Sequence, residues 1–514
     1  MLLRKLSVLF LVLAMAAGGC SSSSSDSVNL GKYEWGVEFS PVTLGLTPGA
    51  TITEVNLNWY SAAATGEISK VRFFDGSKDF KEVTGTVIDA SVGNTAHKVT
   101  VTGLKADTEY QYWVSNNGVD WSEEYKYKTP KTNSFRFAAI GDPQLTTGSQ
   151  DSTSNYPAVI TTTAAGWLET MGKVGLANVN FIAGVGDQVD LTSNGSETEY
   201  QNFFAPPELR SIPWAPSVGN HDRHYPFLFH YNLPNEISFL PLLGAAYGNG
   251  TDQQYADVEA AGHYWYRYNN ALFVVLNTSA YPNSVVSAAP FIQRFDSTLQ
   301  AAKAASPGYT WLFVQHHKST ASVADHLADK DIQYYVEAGF EELMSTHGVD
   351  FVLSGHDHVY ARSYPLTGKK GGVPSVPDTT QGGSTITNPN GVIYVTMTTG
   401  SGLKYYDLFN WSGNLYVKDN TEYPYLVGGL LGSEEYAGSN IMNYNNSVGA
   451  PPGAITDPAL WTKETGVLPI SNAVNVQAKK PAFTVVDVEG NRVTFNTYNI
   501  DDTATSIDTF TVTK

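Results

Sequence analysis

Two kinds of hydrophobic patterning divide the chain. From 33 to 130, apolar and polar residues alternate with a period of two in runs such as VNLNWY (55–60), KVRFF (70–74), HKVTV (97–101) and EYQYWVS (109–115), separated by Gly, Asp and Asn turns. A strand with one buried face produces this alternation, so the segment is expected to be all-β. From Ser134 the alternation gives way to short, near-continuous apolar runs: FRFAAIGD, VNFIAGVGD, PWAPSVGN, LFVVLN, WLFVQHH, VDFVLSGHD and GVIYVTMTTG. Helix-like stretches at 158–176 and 331–347 lie between several of them. Strands buried on both faces read this way, and their alternation with helices predicts an α/β layer structure over 134–514. Within it, 411–478 is rich in Gly, Asn, Pro and Tyr and is expected to be an irregular insertion. The tail PAFTVVDVEGNRVTFNTYNI predicts a hairpin turning at Glu489-Gly490-Asn491, followed by a last strand.

Polar residues cluster where the apolar runs end. GDPQ (141–144), GDQVD (186–190), GNHD (219–222), QHH (315–317) and GHDH (355–358) carry carboxylate, amide or imidazole groups, most of them on a glycine turn. Open α/β sheets place their sites at such strand ends. The ordered set is Asp142, Gln144, Asp187, Asn220, His221, His316 or His317, His356 and His358. It mixes hard oxygen donors with imidazoles, as a two-metal hydrolytic site requires. The gaps between them are long and uneven, which excludes a local zinc finger and predicts a site assembled by the fold.

The ordered motifs GD, GD, GNHD, HH and GHDH, each after an apolar run, resemble the calcineurin-like metallophosphoesterase superfamily, and VDFVLSGHDHVYARSYP is the most family-like passage. The segment ahead of them, with its strand-turn-strand passage TGLKADTEYQYWV, suits a fibronectin type III-like sandwich and is similar to the purple-acid-phosphatase-like branch. The fold this resemblance implies is an N-terminal all-β sandwich (33–130) followed by an α/β metallophosphoesterase domain (134–514), a two-sheet β core flanked by helices. It implies two divalent metal ions bridged by Asp187, the first held also by Asp142 and His358, the second by Asn220, His356 and one of the paired histidines. In relatives with a double histidine the first is the usual ligand, so His316 is expected, with His317 the alternative. His221 would face the substrate, binding phosphate or protonating the leaving oxygen, with Asp222 either orienting it or standing as a plain surface carboxylate. His326, in STASVADHLADKD, stands where a substrate-facing histidine is found and is a candidate leaving-group acid or phosphate ligand. Arg362 is a candidate fork for a phosphate oxygen, with a structural salt bridge as the other reading.

Two positions depart from the pattern. Gln144 stands where many relatives have histidine and offers a neutral amide oxygen, as a ligand or as a hydrogen-bond partner of metal-bound water. Asp190 stands where purple acid phosphatases have an iron-binding tyrosine, so the ions expected are a divalent pair (zinc, manganese or iron). The activity implied is hydrolysis of phosphate esters, with monoesters favoured. A phosphodiesterase or nucleotidase is the alternative, and a non-catalytic surface binding protein with a degenerate site is the third reading.

Charge and cysteine usage narrow the setting. The 514 residues carry a formal net charge of −18, a field that repels a nucleic-acid polymer but admits a phosphorylated small molecule where bound cations reverse it locally. The single cysteine, Cys20, follows Arg4, Lys5, the apolar run 6–17 and Ala17-Gly18-Gly19. This resembles a bacterial lipoprotein signal (1–20), with Cys20 lipidated and the Ser-rich 21–32 as a tether. A lipid-anchored protein of the bacterial cell envelope is expected, on its periplasmic or extracellular face, with neither disulfide nor thiol nucleophile in the mature chain. By analogy alone, the sandwich would help cover the site or mediate a homodimer.

Overall fold

The computed structural model describes residues 40–514 except 63, 78–79, 91–92, 147–162, 191–195, 240–250, 325, 327–328, 369–374 and most of 407–471. The expected signal and tether (1–32), with Cys20, lie outside the described residues. Among the described residues no helix is long and apolar enough to cross a membrane.

The alternating runs form two four-stranded sheets. One has the order β1 (Val42–Pro48), β2 (Val55–Ala62), β6 (Asn94–Val101), β5 (Thr86–Asp89); the other has β4 (Lys81–Thr84), β3 (Lys70–Phe74), β7 (Glu109–Ser115), β8 (Tyr125–Lys128). Their facing apolar residues, among them Leu57, Trp59, Val71, Phe73, Tyr112 and Val114, make the sandwich core. Polar contacts tie the sandwich to the next domain: Thr47 Oγ1 and Asn56 Nδ2 donate to the Asn232 carbonyl at 2.6 and 2.8 Å, and Tyr112 OH to that of Arg210 at 2.6 Å.

The second domain stacks two seven-stranded sheets. In the first, β9 (Ser134–Ile140) lies between β10 (Phe181–Gly184) and β26 (Ala482–Glu489). Next to β10 is β11 (Trp214–Pro216), and beyond β26 follow β27 (Arg492–Asn499), β28 (Asp502–Thr513) and β19 (Thr385–Thr387). In the second, the order is β12 (Tyr264–Tyr268), β13 (Ala271–Val275), β14 (Trp311–Lys318), β15 (Phe351–Gly355), β20 (Ile393–Thr396), β16 (Tyr360–Ser363), β25 (Asn472–Val476). A two-stranded ribbon, β17 (Leu366–Thr367) with β18 (Val376–Pro377), lies outside both. The strands β9, β10 and β11 run parallel, as do β13, β14, β15 and β20. All the expected ligand motifs therefore leave parallel strands at their C-terminal ends. The facing sheets share an aromatic core in which Phe137, Phe181, Tyr266, Phe273, Phe313 and Phe351 are fully buried, with Phe273 stacked on Phe313 at 4.6 Å. Each such ring contributes about 1.5–3 kcal/mol by burial.

Two expectations are revised, and a third falls partly outside the described residues. The stretch 331–347 is two helices, α6 (Lys330–Glu337) and α7 (Phe340–His347), because Gly339 between them takes φ 104°, which a continuous helix does not admit. The helix expected from 158 is α1 (Thr163–Leu176), its first residues lying outside the described ones. The segment 411–478 is not wholly irregular: its described parts include an antiparallel ribbon of β21 (Asn410–Ser412), β22 (Leu415–Lys418), β23 (Thr421–Leu426) and β24 (Gly429–Leu430), and β25 closes an edge of the second sheet. The C-terminal hairpin turns at Gly490 as expected.

Candidate metal centre

The strand ends bring Asp142, Asp187, His317, His356 and His358 into one buried cluster, all 6 % exposed or less. The backbone is bent to do so. Asp142 (φ 42°), Gln144 (φ 40°), Asp187 (φ 47°), His356 (φ 72°) and His358 (φ 44°) all take the left-handed conformation that non-glycine residues avoid. Such positions cost on the order of 1–3 kcal/mol each and collect at functional sites, where packing such as the aromatic core offsets them. Glycines provide the clearance. A Cβ on Gly219 would overlap the Asp187 carboxylate, its Cγ at 2.7 Å, and one on Gly355 would overlap the Asp142 carboxylate.

Electron-pair donors converge on His317. Its Nδ1 faces the Val185 carbonyl at 2.8 Å and so carries the proton. Its Nε2 then offers a lone pair to Asp187 Oδ2 at 3.2 Å, Asn220 Oδ1 at 3.0 Å and His356 Nδ1 at 3.2 Å. Lone pairs facing one another repel unless a cation lies among them. Donor atoms bonded at about 2.1 Å to one ion stand roughly 3.0–3.4 Å apart, the spacing seen here. His358 repeats the pattern: Nδ1 donates to the Lys404 carbonyl at 2.8 Å, leaving Nε2 toward Asp142 Oδ1 at 3.6 Å. These outer contacts fix each ring's tautomer.

The protonation states agree. Burial and the neighbouring Asp187 charge hold the Asp142 carboxyl well above its ordinary range. Burial pushes Asp187 the same way, but positive charge on the His317 and His221 side pulls it below the ordinary value, the part a cation among these donors would play. Burial, then His326 and His317, hold His356 well below the usual imidazole range; burial and Lys404 do the same for His358. Neutral imidazoles beside two buried carboxylates that cannot comfortably share the pocket are a donor set suited to divalent cations.

The expectation for His316 is corrected. Strand β14 alternates its side chains, so Phe313, Gln315 and His317 face the first sheet while Leu312, Val314 and His316 face the helices. The His316 ring packs edge-on against Phe340 at 4.9 Å, with Nδ1 3.4 Å from Thr278 Oγ1, and burial pushes its pKa down to about 3. Arg362 is corrected as well. It is 2 % exposed, bonds Asp508 through Nε at 2.7 Å, donates to the Gly382 carbonyl at 3.2 Å and covers the Phe510 ring at 4.5 Å, which makes it a structural ion pair.

His221 and His326 flank the cluster. The His221 amide donates to Asp187 Oδ1 at 2.9 Å, and its ring Nδ1 donates to the Asp190 carbonyl at 2.5 Å. Asp222 does not orient that ring; it accepts from the Gly219 and Gln188 amides at 2.8 and 3.1 Å and so ties two ligand loops together. His326 stacks on His356 at 4.0 Å, with Nδ1 2.7 Å from Asp329 Oδ2. Its loop hangs on Asp357, which accepts from the Ala324 and His326 amides at 3.0 and 2.8 Å. Asp357 is not among the expected site residues; it lies in GHDH between the two expected ligands His356 and His358. Gln144 donates from Nε2 to Asp190 Oδ1 at 2.9 Å, so the two departures from the family pattern are partners.

Residues 135–360 match the family model described as calcineurin-like phosphoesterase, and 41–129 match that of the purple acid phosphatase N-terminal domain. A phosphoenolpyruvate phosphatase of Allium cepa is 23% identical over 354 residues, covering 64% of this chain and 64% of that protein. Purple acid phosphatase 1 of Ipomoea batatas is 25% identical over 322 residues, covering 60% and 61%. The chain thus spans under two thirds of the length of these relatives. Purple acid phosphatase PPD1 of yellow lupin (Lupinus luteus) seeds shares the fold, with a TM-score of 0.57 at 15% identity over 92% of this chain and 74% of that one. A calcineurin-like phosphoesterase domain (135–360) thus follows a purple acid phosphatase N-terminal domain (41–129), an arrangement that fits the purple-acid-phosphatase-like branch.

Proposed function

We propose that the protein hydrolyses phosphate esters, monoesters by preference, at a pair of divalent cations. The observation that carries this reading is the lone-pair convergence of Asp187, Asn220 and His356 around His317 Nε2, with Asp142 Oδ1 3.7 Å from Nδ1 of the same ring. Asp187, Asn220, His317 and His356 would hold one ion; Asp187, Asp142, His358 and the amide oxygen of Gln144 the other. Such ions supply Lewis-acid polarisation of phosphoryl oxygens and lower the pKa of water.

The chain's own groups do the rest. His221, with Nδ1 committed to the Asp190 carbonyl and its side chain 25% exposed, presents Nε2 for a phosphate oxygen or for the proton that the leaving oxygen requires. His326, held by Asp329 and by the Asp357-anchored backbone, stands on the other side of His356 and would steady or protonate the leaving group. The test is hydrolysis of p-nitrophenyl phosphate against its bis-ester with added Mn²⁺ or Zn²⁺. Metal-dependent monoester turnover, lost with chelator and in Asp187→Ala, is expected; undiminished turnover in the metal-stripped variant would overturn the reading.

We also propose that Cys20 carries a lipid anchor to the cell envelope, on the motif around it. Labelling of cells with palmitate should mark the wild type and not Cys20→Ser; equal labelling of both refutes it.

A further inference from the structure

We propose that Asp190 is a positioning residue that sets the amide of Gln144 with its oxygen toward the metal centre; this rests on the two-ion reading above. The backbone brings the pair into register. Gln144 N donates to the Asp187 carbonyl at 2.6 Å, Leu145 N to that of Gln188 at 3.1 Å, and Asp190 N to that of Leu145 at 3.0 Å. Asp190 N also reaches Glu199 Oε2 at 2.9 Å, which pins the loop. Within this short ladder the Gln144 side chain is fully buried and next to the Asp142 and Asp187 segments.

The two ends of the amide have unequal environments. Nε2 donates to Asp190 Oδ1 at 2.9 Å, while Oε1 is buried without a hydrogen-bond partner among the described residues. An ionised carboxylate only accepts, so it selects the NH2 end; the rotated amide would set oxygen against oxygen. An amide oxygen left without a donor in a buried pocket is costly unless something electropositive meets it. Asp190 thereby determines which atom Gln144 shows to the cluster: a hard oxygen suited to a divalent ion, rather than an NH2 group that would repel one. The two residues that depart from the family pattern act as one unit.

The experiment is a double-mutant cycle read by cation binding. Mn²⁺ stoichiometry and affinity are measured by calorimetry for the wild type, Gln144→Ala, Asp190→Ala and the double variant. Two Mn²⁺ ions are expected for the wild type. Asp190→Ala should weaken one of them 10–100-fold, the range for removal of a ligand-orienting partner. The same change in the Gln144→Ala background should alter affinity less than about twofold, because the amide it positions is gone. A polarity-reversed pair, Gln144→Glu with Asp190→Asn, keeps the total charge and offers an oxygen to the site again. It should bind both ions within about tenfold of wild type. Two ions in the wild type with an unchanged Asp190→Ala, or an equal loss in both backgrounds, would overturn the positioning role and leave the two-ion reading standing. A wild type that binds no Mn²⁺ would overturn both.

Discussion

Exchanging the neighbours His316 and His317 separately for leucine divides the two faces of β14. His316 sits against Phe340 with Nδ1 3.4 Å from a threonine hydroxyl that also accepts from the His317 and Lys318 amides at 3.3 and 3.1 Å. Its Nε2 is buried with no hydrogen-bond partner among the described residues. Leucine removes that orphaned atom at similar volume, so His316→Leu should change stability by no more than about 1 kcal/mol and leave cation binding intact. His317→Leu deletes the atom that stands 3.0–3.2 Å from Asn220, Asp187 and His356. Losing a direct donor should exceed the 10–100-fold penalty for outer partners, so more than about 100-fold in affinity for one ion is expected, or roughly 2.7 kcal/mol. Calorimetric titration with Mn²⁺, beside kcat/KM for p-nitrophenyl phosphate and thermal melts, measures all three quantities. The reasoning fails if His316→Leu loses an ion while staying folded, or if His317→Leu keeps both at wild-type affinity.

Other perturbations probe separate parts of the structure. Gly219→Ala drives a methyl into the Asp187 carboxylate, and displacement on the order of 1 Å should cost about 100-fold in kcat/KM, checked by steady-state kinetics. Arg362→Met leaves Asp508 buried with only Tyr360 OH, at 2.8 Å, among its described side-chain partners, so stability should fall by about 3–5 kcal/mol in denaturant titration while KM for the phosphate ester holds. His97, in the sandwich core between Ser61 and Ser69 at 2.9 Å from each, is pushed down to about 4 by burial. Its unfolded form binds a proton near 6.5, so the folded state loses stability as pH falls from there toward 4, by roughly 3 kcal/mol at most. His97→Gln should flatten that slope in melts recorded between pH 4 and 7, and an unchanged slope would exclude the assignment.

How much of this was legible in the sequence depends on what the pattern encodes. Period-two alternation placed β2, β3, β6 and β7, and the apolar runs placed the parallel strands. Strand β3 alternates in burial as its sequence does, whereas β2 is buried at all but its last position, its polar Asn56 being covered by the second domain at the Asn232 carbonyl. The donor set was visible because acidic, amide and imidazole residues followed those strands. The choice between His316 and His317 was not, since β14 is buried along its whole length and an apolar run does not say which parity faces the partner sheet. Gln315 held the missing signal: its amide bonds the Gly184 and Ala215 carbonyls, which marks odd positions as facing the first sheet, but that needs the partner strands. Arg362 and its partner Asp508 lie far apart in the chain, as do Gln144 and Asp190 across their loops, and no local spacing reveals such pairs. The break at Gly339 was readable as a glycine inside a helical run; its left-handed φ was not.

Anomalous scattering from crystals grown with Mn²⁺ tests the centre most directly. Two peaks are expected, sharing Asp187: one bounded by Asn220, His317 and His356, the other by Asp142 and His358. A single peak, a peak at His316, or no peak at a concentration saturating in solution would contradict a shared-carboxylate pair.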